Sequence, residues 1–463
     1  MTAPIPDGKS DLPSGPLVAW YGDDFTGAGA VMEVLAFAGL EAVLFTDIPT
    51  AEELARFPKA QGIGIASTAR AQTPAWMVKH LPKAFDALKQ TGAPVLHYKT
   101  CSTLDSAPHI GSIGCAMDIA AREIPSPWVP ILLAAPTMRR YQAFGHLFAS
   151  APEGVFRLDR HPVMAHHPVT PMAESDVAAH LRRQTDLPLG CVTLEDLAGD
   201  PTQAVAGARA AGLHGLSLDA ISDTHMAQLG QLIWQEPDSP LFAVGSQGVE
   251  YALVAYWQLA GLLAPPPAPK SAGEVERMVA VSGSVSPVTA AQIAWAEENG
   301  FDIIQLDASA LAKGDDKAEA AGLIQACAAY QAGRDPLIVT ARGPKDPQVA
   351  KFRDTIQAAG ISEHLANARI GAALGRILAE LLRKTGARRA VISGGYTSGH
   401  ACAELGLFAF TALAPTIPGA ALLTGHSHNP KFDGLQIALK GGQMGSPDYF
   451  GWIKRGGGPA QSD

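Results

Sequence analysis

The sequence predicts two α/β domains, each on a mostly parallel sheet, joined by a Pro-rich hinge with a cleft between them. Three observations carry this. A chain of 463 residues exceeds the size at which one hydrophobic core keeps growing. Short apolar runs alternate with helical patterns from residue 17 to about 261, and the alternation restarts after the segment Ala264–Gly273. That segment, APPPAPKSAG, has no core-forming content and marks the domain boundary. The expected division is therefore a disordered tail at 1–15, a first domain at 16–263, a linker at 264–274, a second domain at 275–455 and a flexible tail at 456–463.

The first apolar run, Leu17–Tyr21, reads as a buried strand that stops at Gly22, Asp23 and Asp24. Thr26, Gly27 and Ala28 then open an Ala-rich helix with Val31, Leu35 and Ala38 on one face. Further strands are expected at Ala42–Phe45, Gly62–Ala66, Val95–Tyr98, Ile131–Ala135, Cys191–Leu194 and Leu241–Gly245. Beyond the spacer, Met278–Val281 is a strand running into Ser-Gly-Ser-Val-Ser-Pro, with a helix from about Val288 to Glu298. Strands at Ile303–Leu306 and Leu337–Thr340 follow, then helices on either side of residue 360. Val391–Gly395 is a strand ending in a glycine turn, before a helix beginning near Ala401.

Bulk composition narrows the partners. Hydrophobic residues make up 47% and charged residues 17%, the usage of a soluble globular protein. A net charge of −9 argues against nucleic acid and acidic membrane as partners, while leaving a small anionic substrate open because pocket charge is local. The five cysteines, Cys101, Cys115, Cys191, Cys327 and Cys402, form no CxxC, which suits a reducing compartment. The N-terminal residues lack a signal-peptide pattern, and the most apolar run, Ile131–Ala135, is strand-sized. A cytoplasmic protein, with homo-oligomer formation open, is expected.

Candidate chemistry collects at strand ends. Adjacent carboxylates Asp23 and Asp24 repel one another unless a cation, metal or ligand uses them, although one of them also suits a helix N-cap. In the same domain Arg70 follows the third strand, Lys99, Ser102 and Thr103 follow the fourth, and Arg139 and Arg140 lie beyond Pro136. Cations and hydroxyls at one edge of a sheet suit an anionic, hydroxyl-bearing ligand. The His- and Pro-rich stretch Arg157–Met172 reads as a rigid loop shaping the pocket, with Arg160 and His161 as anion contacts; its spacing matches no standard metal-ligand pattern. In the second domain, Ser284 lies in a donor-rich turn after the first strand. Gly394, Gly395, Thr397, Ser398 and Gly399 form a second turn, and Lys440, Gly442 and Gly445 a third. Such turns expose backbone N–H groups and hydroxyls as a phosphate cradle. Neither GxxxxGK[ST] nor GxGxxG occurs, which excludes a P-loop and removes support for a Rossmann dinucleotide site.

Together, DDFTGA (Asp23–Ala28), YKTCSTLDS (Tyr98–Ser106) with GSIG, GSVSPVTAAQI (Gly283–Ile293), GGYTSGH (Gly394–His400) and LKGGQMGSPDYF (Leu439–Phe450) resemble the four-carbon acid sugar kinases, from about residue 17 to 453. The resemblance implies that the N-terminal domain binds the acid sugar and the C-terminal domain binds ATP, with Mg²⁺ accompanying it. It implies phosphorylation of the terminal hydroxyl of threonate, erythronate or a 3-oxo-tetronate, or of 3-oxo-isoapionate in a related branch. By motif, Asp23 and Asp24 match the acidic pair that handles substrate hydroxyls and the transferred proton. Arg70, Lys99, Ser102 and Thr103 match the substrate side, and Ser284, Gly394, Gly395, Thr397, Ser398, Lys440 and Gly442 the ATP side. The chain departs from the family pattern at Ala30 and Tyr396, where acids are usual, and at Asp105, where Arg is usual. Ala30 and Tyr396 motivate a second reading, a kinase-like binding or sensor protein with impaired turnover. A nicotinamide-dependent dehydrogenase is the third.

Overall fold

A computed structural model describes residues 12–167, 169–234 and 240–459. The chain divides into two compact units, with the division between Pro267 and Ala268, inside the Pro-rich segment.

The first unit carries strands β1 (Val18–Gly22), β2 (Ala42–Phe45), β3 (Gly62–Ala66), β4 (Val95–Lys99) and β5 (Val129–Leu132). There follow β6 (Arg140–Ala143), β7 (His146–Ala151), β8 (Gly154–Arg157), β9 (Leu189–Val192), β10 (Gly215–Leu218) and β11 (Leu241–Gly245). The main sheet runs β2-β3-β1-β4-β11-β5-β10-β9 with every pairing parallel. Its central strands are buried along their length and, apart from His97 and Lys99 of β4, largely apolar, as a sheet covered on both faces requires.

Alternation along β1 places its side chains on opposite faces. Tyr21 meets Phe85 of helix Pro74–Gln90 and stacks on Tyr98, while Trp20 on the other face donates from Nε1 to Ala28 O in helix Phe25–Phe37. The chain thus leaves β1 toward one face. From β4 it leaves toward the other, where helix Ile113–Glu123 packs on helix Pro74–Gln90. Because β1 and β4 are neighbours, the crevice beyond their carboxyl ends is a topological switch point, where open α/β sheets bind ligands.

The second unit carries β12 (Val279–Ser282), β13 (Phe301–Gln305), β14 (Asp335–Val339), β15 (Arg389–Ser393), β16 (Leu407–Ala414), β17 (Leu422–Ser427) and β18 (Leu435–Lys440). Their order is β13-β14-β12-β15-β18-β17-β16. Only β17 runs against its neighbours β16 and β18; the other pairings are parallel. A core of Met278, Ile293, Phe301, Leu422, Tyr449 and Phe450 fills one face.

Several expectations need correction. Residues 140–157 form a separate antiparallel sheet, β6-β7-β8, and Arg157 ends a strand rather than opening a loop. Its side chains alternate only weakly between buried and exposed, so the two-residue period is faint. Strands β10, β16 and β17 carry no expectation of their own, β18 is expected only as the strand end before the Lys440 turn, and β5 lies two residues ahead of the run Ile131–Ala135. The helix expected near Ala401 begins at Gly395, so Thr397, Ser398 and Gly399 belong to its first turns. The expected flexible tail is fixed at its start. Gly456 accepts from Ala272 N at 2.8 Å, Gly458 N donates to Pro415 O at 2.8 Å, and Gly456 through Gly458 are buried. At Gly456 φ is +96° and a Cβ would meet Gly273 O at 2.4 Å, so close approach of two backbones demands glycine there. Most of the expected N-terminal tail and the last residues, 460–463, lie outside the described residues. Among the described residues, no helix is long and apolar enough to cross a membrane.

Candidate active site

At the carboxyl end of β1 the two acids divide their work. Asp24 is the N-cap of helix Phe25–Phe37 and accepts from Gly27 N at 3.1 Å. Asp23 is buried, and its carboxylate is gripped by Arg70 from the turn after β3. Arg70 Nε donates to Asp23 Oδ2 at 3.1 Å and Nη2 to Oδ1 at 2.6 Å; Nη2 also reaches Asp24 Oδ1 at 2.6 Å. One guanidinium therefore joins two like charges that would otherwise repel. Burial pushes the Asp23 carboxyl up to about 6, with Asp24 adding to the rise, while Arg70 opposes it. The turn is itself fixed by backbone: Arg70 N donates to Asp23 O at 2.9 Å, and Ser67 Oγ donates to Gly22 O at 2.8 Å.

Lys99 closes the crevice from β4. It is buried, Nζ donates to Thr100 O at 2.6 Å, and a Cβ on Gly27 would stand 2.9 Å from that Nζ and 2.3 Å from Asp24 Oδ1. Lys99 and Asp24 thus line one narrow space that only glycine at 27 leaves open. Thr100 Oγ1 and Tyr98 Oη are buried without a hydrogen-bond partner among the described residues. Ser102 and Thr103 follow in the next turn, where Thr103 Oγ1 lies 3.0 Å from Cys101 Sγ. The structure therefore gathers Asp23, Asp24, Arg70 and Lys99, with Ser102 and Thr103 on the adjoining turn.

Arg160 and His161 do not join them. Arg160 is exposed in a 3₁₀ turn, Leu158–Arg160. The buried ring of His161 accepts from Val163 N and Met164 N at Nδ1, both at 3.2 Å, and meets Ser150 O from Nε2 at 3.3 Å. With Nδ1 taken by two backbone donors and Nε2 facing a carbonyl, the ring is spent on folding its own loop. Asp105 also serves that loop, accepting from Thr170 Oγ1 and lying 3.8 Å from His167 Nδ1. Among the described residues, no three His, Cys, Asp or Glu side chains form a metal-sized cluster.

In the second unit, adjacent strands bring the three glycine-containing turns to one edge. Ser282, Ser393 and Lys440 stand in register across β12, β15 and β18. Gly394, with φ at +125°, turns the chain into helix Gly395–Glu404 and leaves its N-terminus without a side-chain cap. A Cβ on Gly395 or Gly399 would meet nothing within 4 Å, so open space stands beside these backbone groups. Lys440 is fully buried, with no carboxylate partner among the described residues. Nζ donates to Gly441 O at 3.1 Å, and burial lowers its ammonium to about 8. Ser393 Oγ is buried and unpartnered beside it in the register. A buried cation, an orphan hydroxyl and an uncapped helix N-terminus form a site that fits phosphate oxygens. The side chain of Tyr396 lies outside the described residues.

Sequence reasoning missed the groups that lock these turns together. Ser286 Oγ donates to Gly442 O, and Thr289 Oγ1 reaches the same carbonyl at 2.9 Å and Ser284 Oγ at 3.0 Å. Gln292 Nε2 donates to Met444 O and Ser446 O at 2.9 and 3.0 Å. Their three-residue spacing (286, 289, 292) was the available signal: it places all three on one face of helix Pro287–Glu298, toward the Lys440 turn.

Comparison with known proteins fits this division of labour. Residues 18–253 match the sugar-binding N-terminal domain family, and residues 279–450 match the nucleotide-binding C-terminal domain family. A 3-oxo-isoapionate kinase of Paraburkholderia graminis is 42% identical over 447 residues, spanning 96% of this chain and 95% of its own. The 3-oxo-tetronate kinases of Pseudomonas savastanoi pv. phaseolicola and Pseudomonas fluorescens are 30% and 31% identical, each across 94% of this chain and 96% of theirs. A crystal structure from Salmonella typhimurium LT2 shares the fold with a TM-score of 0.77, at 23% identity over 95% of this chain and 98% of its own. A Haemophilus influenzae protein does so at 0.71, with 23% identity over 94% and 99%. This chain belongs to the four-carbon acid sugar kinase family and is a sugar-acid phosphotransferase with an alcohol group as acceptor.

Proposed function

We propose that this enzyme transfers the γ-phosphoryl group of ATP to the terminal hydroxyl of a four-carbon acid sugar or a close branched analogue, with 3-oxo-isoapionate the first candidate. The observation that carries the phosphoryl-transfer geometry is Lys440, a buried ammonium without a counter-charge at the meeting of three glycine turns. The choice of substrate rests on the 42% identity to a 3-oxo-isoapionate kinase, against 27–31% for the 3-oxo-tetronate kinases.

In this reading Lys440, Ser284, Thr397, Ser398 and the backbone of Gly394, Gly395, Gly399, Gly442 and Gly445 hold the phosphate chain, and the cation offsets charge that shifts toward the leaving ADP. Asp23 has both oxygens committed to Arg70, so it fixes the guanidinium. Asp24 is the base, because its Oδ1 carries the described hydrogen bonds while the carboxylate is 28% exposed. Asp24 takes the proton of the terminal hydroxyl as its oxygen bonds to the γ-phosphorus and the bond to the ADP oxygen breaks. Lys99, Ser102 and Thr103 orient the remaining oxygens of the acid sugar. Mg²⁺ suits such a site because it is held largely by phosphate oxygens and water, with few protein ligands. The hydroxyls of Ser284 and Thr397 are the hard donors the second unit offers it.

An assay of ATP consumption across 3-oxo-isoapionate, threonate, erythronate and 3-oxo-tetronates tests the proposal. Turnover is expected with at least one, and absence of turnover with all of them overturns it. Asp24→Asn keeps the helix cap, since Asn caps as well as Asp. It is expected to lower kcat by about 10²–10⁴-fold, the range for a general base, with little change in Tm.

A further inference from the structure

Arg70 is the arginine expected to bind the substrate carboxylate, but its charge is already spent. Its Nε and Nη2 both serve Asp23, and Nη2 also serves Asp24, so this set of three carries a net negative charge. Lys99, which shares one narrow space with Asp24, offsets that excess, so a sugar carboxylate calls for a further cation on the same edge.

Arg140 meets that need. It stands just beyond the carboxyl end of β5, where Ala135 and Arg140 exchange backbone hydrogen bonds of 3.0 and 3.1 Å. The strand ends are tied in sequence toward the crevice: Ser246 N donates to Leu132 O at 3.0 Å, and Thr100 N donates to Gly245 O at 2.6 Å. The Cys101 thiol, one residue further, lies within electrostatic reach of both Arg70 and Arg140, so both guanidiniums stand near the turn that carries Ser102 and Thr103. Only one nitrogen of Arg140 is occupied. Nη1 donates to Met138 O and Arg139 O, both at 3.3 Å, and to Ser150 Oγ at 3.2 Å. Nε is buried without a partner, Nη2 makes no hydrogen bond to the described protein, and among the described residues no carboxylate pairs with the guanidinium. The Nε–Nη2 edge is the side of a guanidinium that binds a carboxylate through two parallel hydrogen bonds.

We infer that the Nε–Nη2 edge of Arg140 anchors the carboxylate of the sugar acid, so that Arg140 selects acids over neutral polyols. The inference rests on the reading of the first unit as the sugar-acid site. Nη1, pinned by three acceptors, holds the guanidinium plane in place before the substrate arrives.

Binding without nucleotide separates this inference from phosphoryl transfer. Calorimetric titration of wild type, Arg140→Gln and Arg140→Lys uses 3-oxo-isoapionate and threonate as acids and threitol as the uncharged counterpart of threonate. Arg140→Gln is expected to weaken acid binding by about 100-fold and Arg140→Lys by about tenfold, since Lys keeps the charge but loses the fork. Threitol binding stays within about threefold across all three proteins. The anchor role is overturned if Arg140→Gln binds the acid within about threefold of wild type, or if threitol weakens by the same factor as the acid. If Arg140→Gln does not fold, Arg140→Lys decides by the same two comparisons. A wild type that binds neither acid overturns the sugar-acid reading of this unit and the anchor with it, whereas acid binding without turnover overturns the kinase proposal alone.

Discussion

Two buried ionisable groups with opposed shifts frame the chemistry at the residue scale. Lys440 is held down to about 8 by burial alone, with no carboxylate to restore it. Its folded form binds fewer protons than the unfolded chain between about 8 and the ordinary 10.5, so its contribution to stability rises with pH across that window. The role proposed for Lys440 in holding ATP phosphates needs the charged form. Affinity for ATP is therefore expected to fall as pH rises through about 8, and Lys440→Arg, which cannot lose its proton there, should flatten that limb in a titration of nucleotide binding. Asp23 is shifted the other way, from 3.8 up to about 6, by burial against the pull of Arg70. Its folded form binds more protons than the unfolded chain in that window, so its contribution to stability is present below about 4 and is lost as pH rises through about 6. Holding Asp23 ionised beside Asp24 at neutral pH thus costs stability, and Arg70 offsets part of that cost.

At the scale of elements, one buried carboxylate joins the backbone pairs Ala135–Arg140 and Gln142–Ala220 in holding the small β6-β7-β8 sheet to the main one. Asp219, just past β10, accepts from Phe144 N at 2.5 Å, Gly145 N at 2.9 Å, Leu194 N at 3.2 Å and Gln142 Nε2 at 3.1 Å. Phe144 and Gly145 have φ of +50° and +78°, the two-residue turn that the right-handed twist of a hairpin favours. A phenylalanine at positive φ is an uncommon choice there, and the Asp219 carboxylate is what holds its backbone. Asp219→Ala strands several buried donors at once and is expected to cost about 2–4 kcal/mol in denaturant unfolding. Arg140 begins β6, so the same variant should also weaken sugar-acid binding.

For the molecule as a whole, the two units have separate cores, and the proposed function gives each its own ligand. Scanning calorimetry is expected to resolve two transitions. A non-hydrolysable ATP analogue should raise one and the sugar acid the other, each by about 2.7 kcal/mol at a ligand concentration of 100 Kd. A single transition raised equally by either ligand would contradict that independence.

The sequence by itself determined the α/β alternation, the division near the Pro-rich segment and the motif residues at the ends of β1, β4, β12, β15 and β18. These are local signals, because buried parallel strands are continuous apolar runs and their glycine turns are written in adjacent residues. Only the tertiary structure decided which partner each polar residue takes. It gave Arg70 to Asp23 and Asp24, turned His161 inward to its own loop, and left Lys440 and one edge of Arg140 without a counter-charge. The reason is distance along the chain. Arg70 and Asp23 are 47 residues apart, and Thr289 and Gly442 are 153 apart. No local pattern encodes such a pairing; it follows from the strand order and register that bring those ends together.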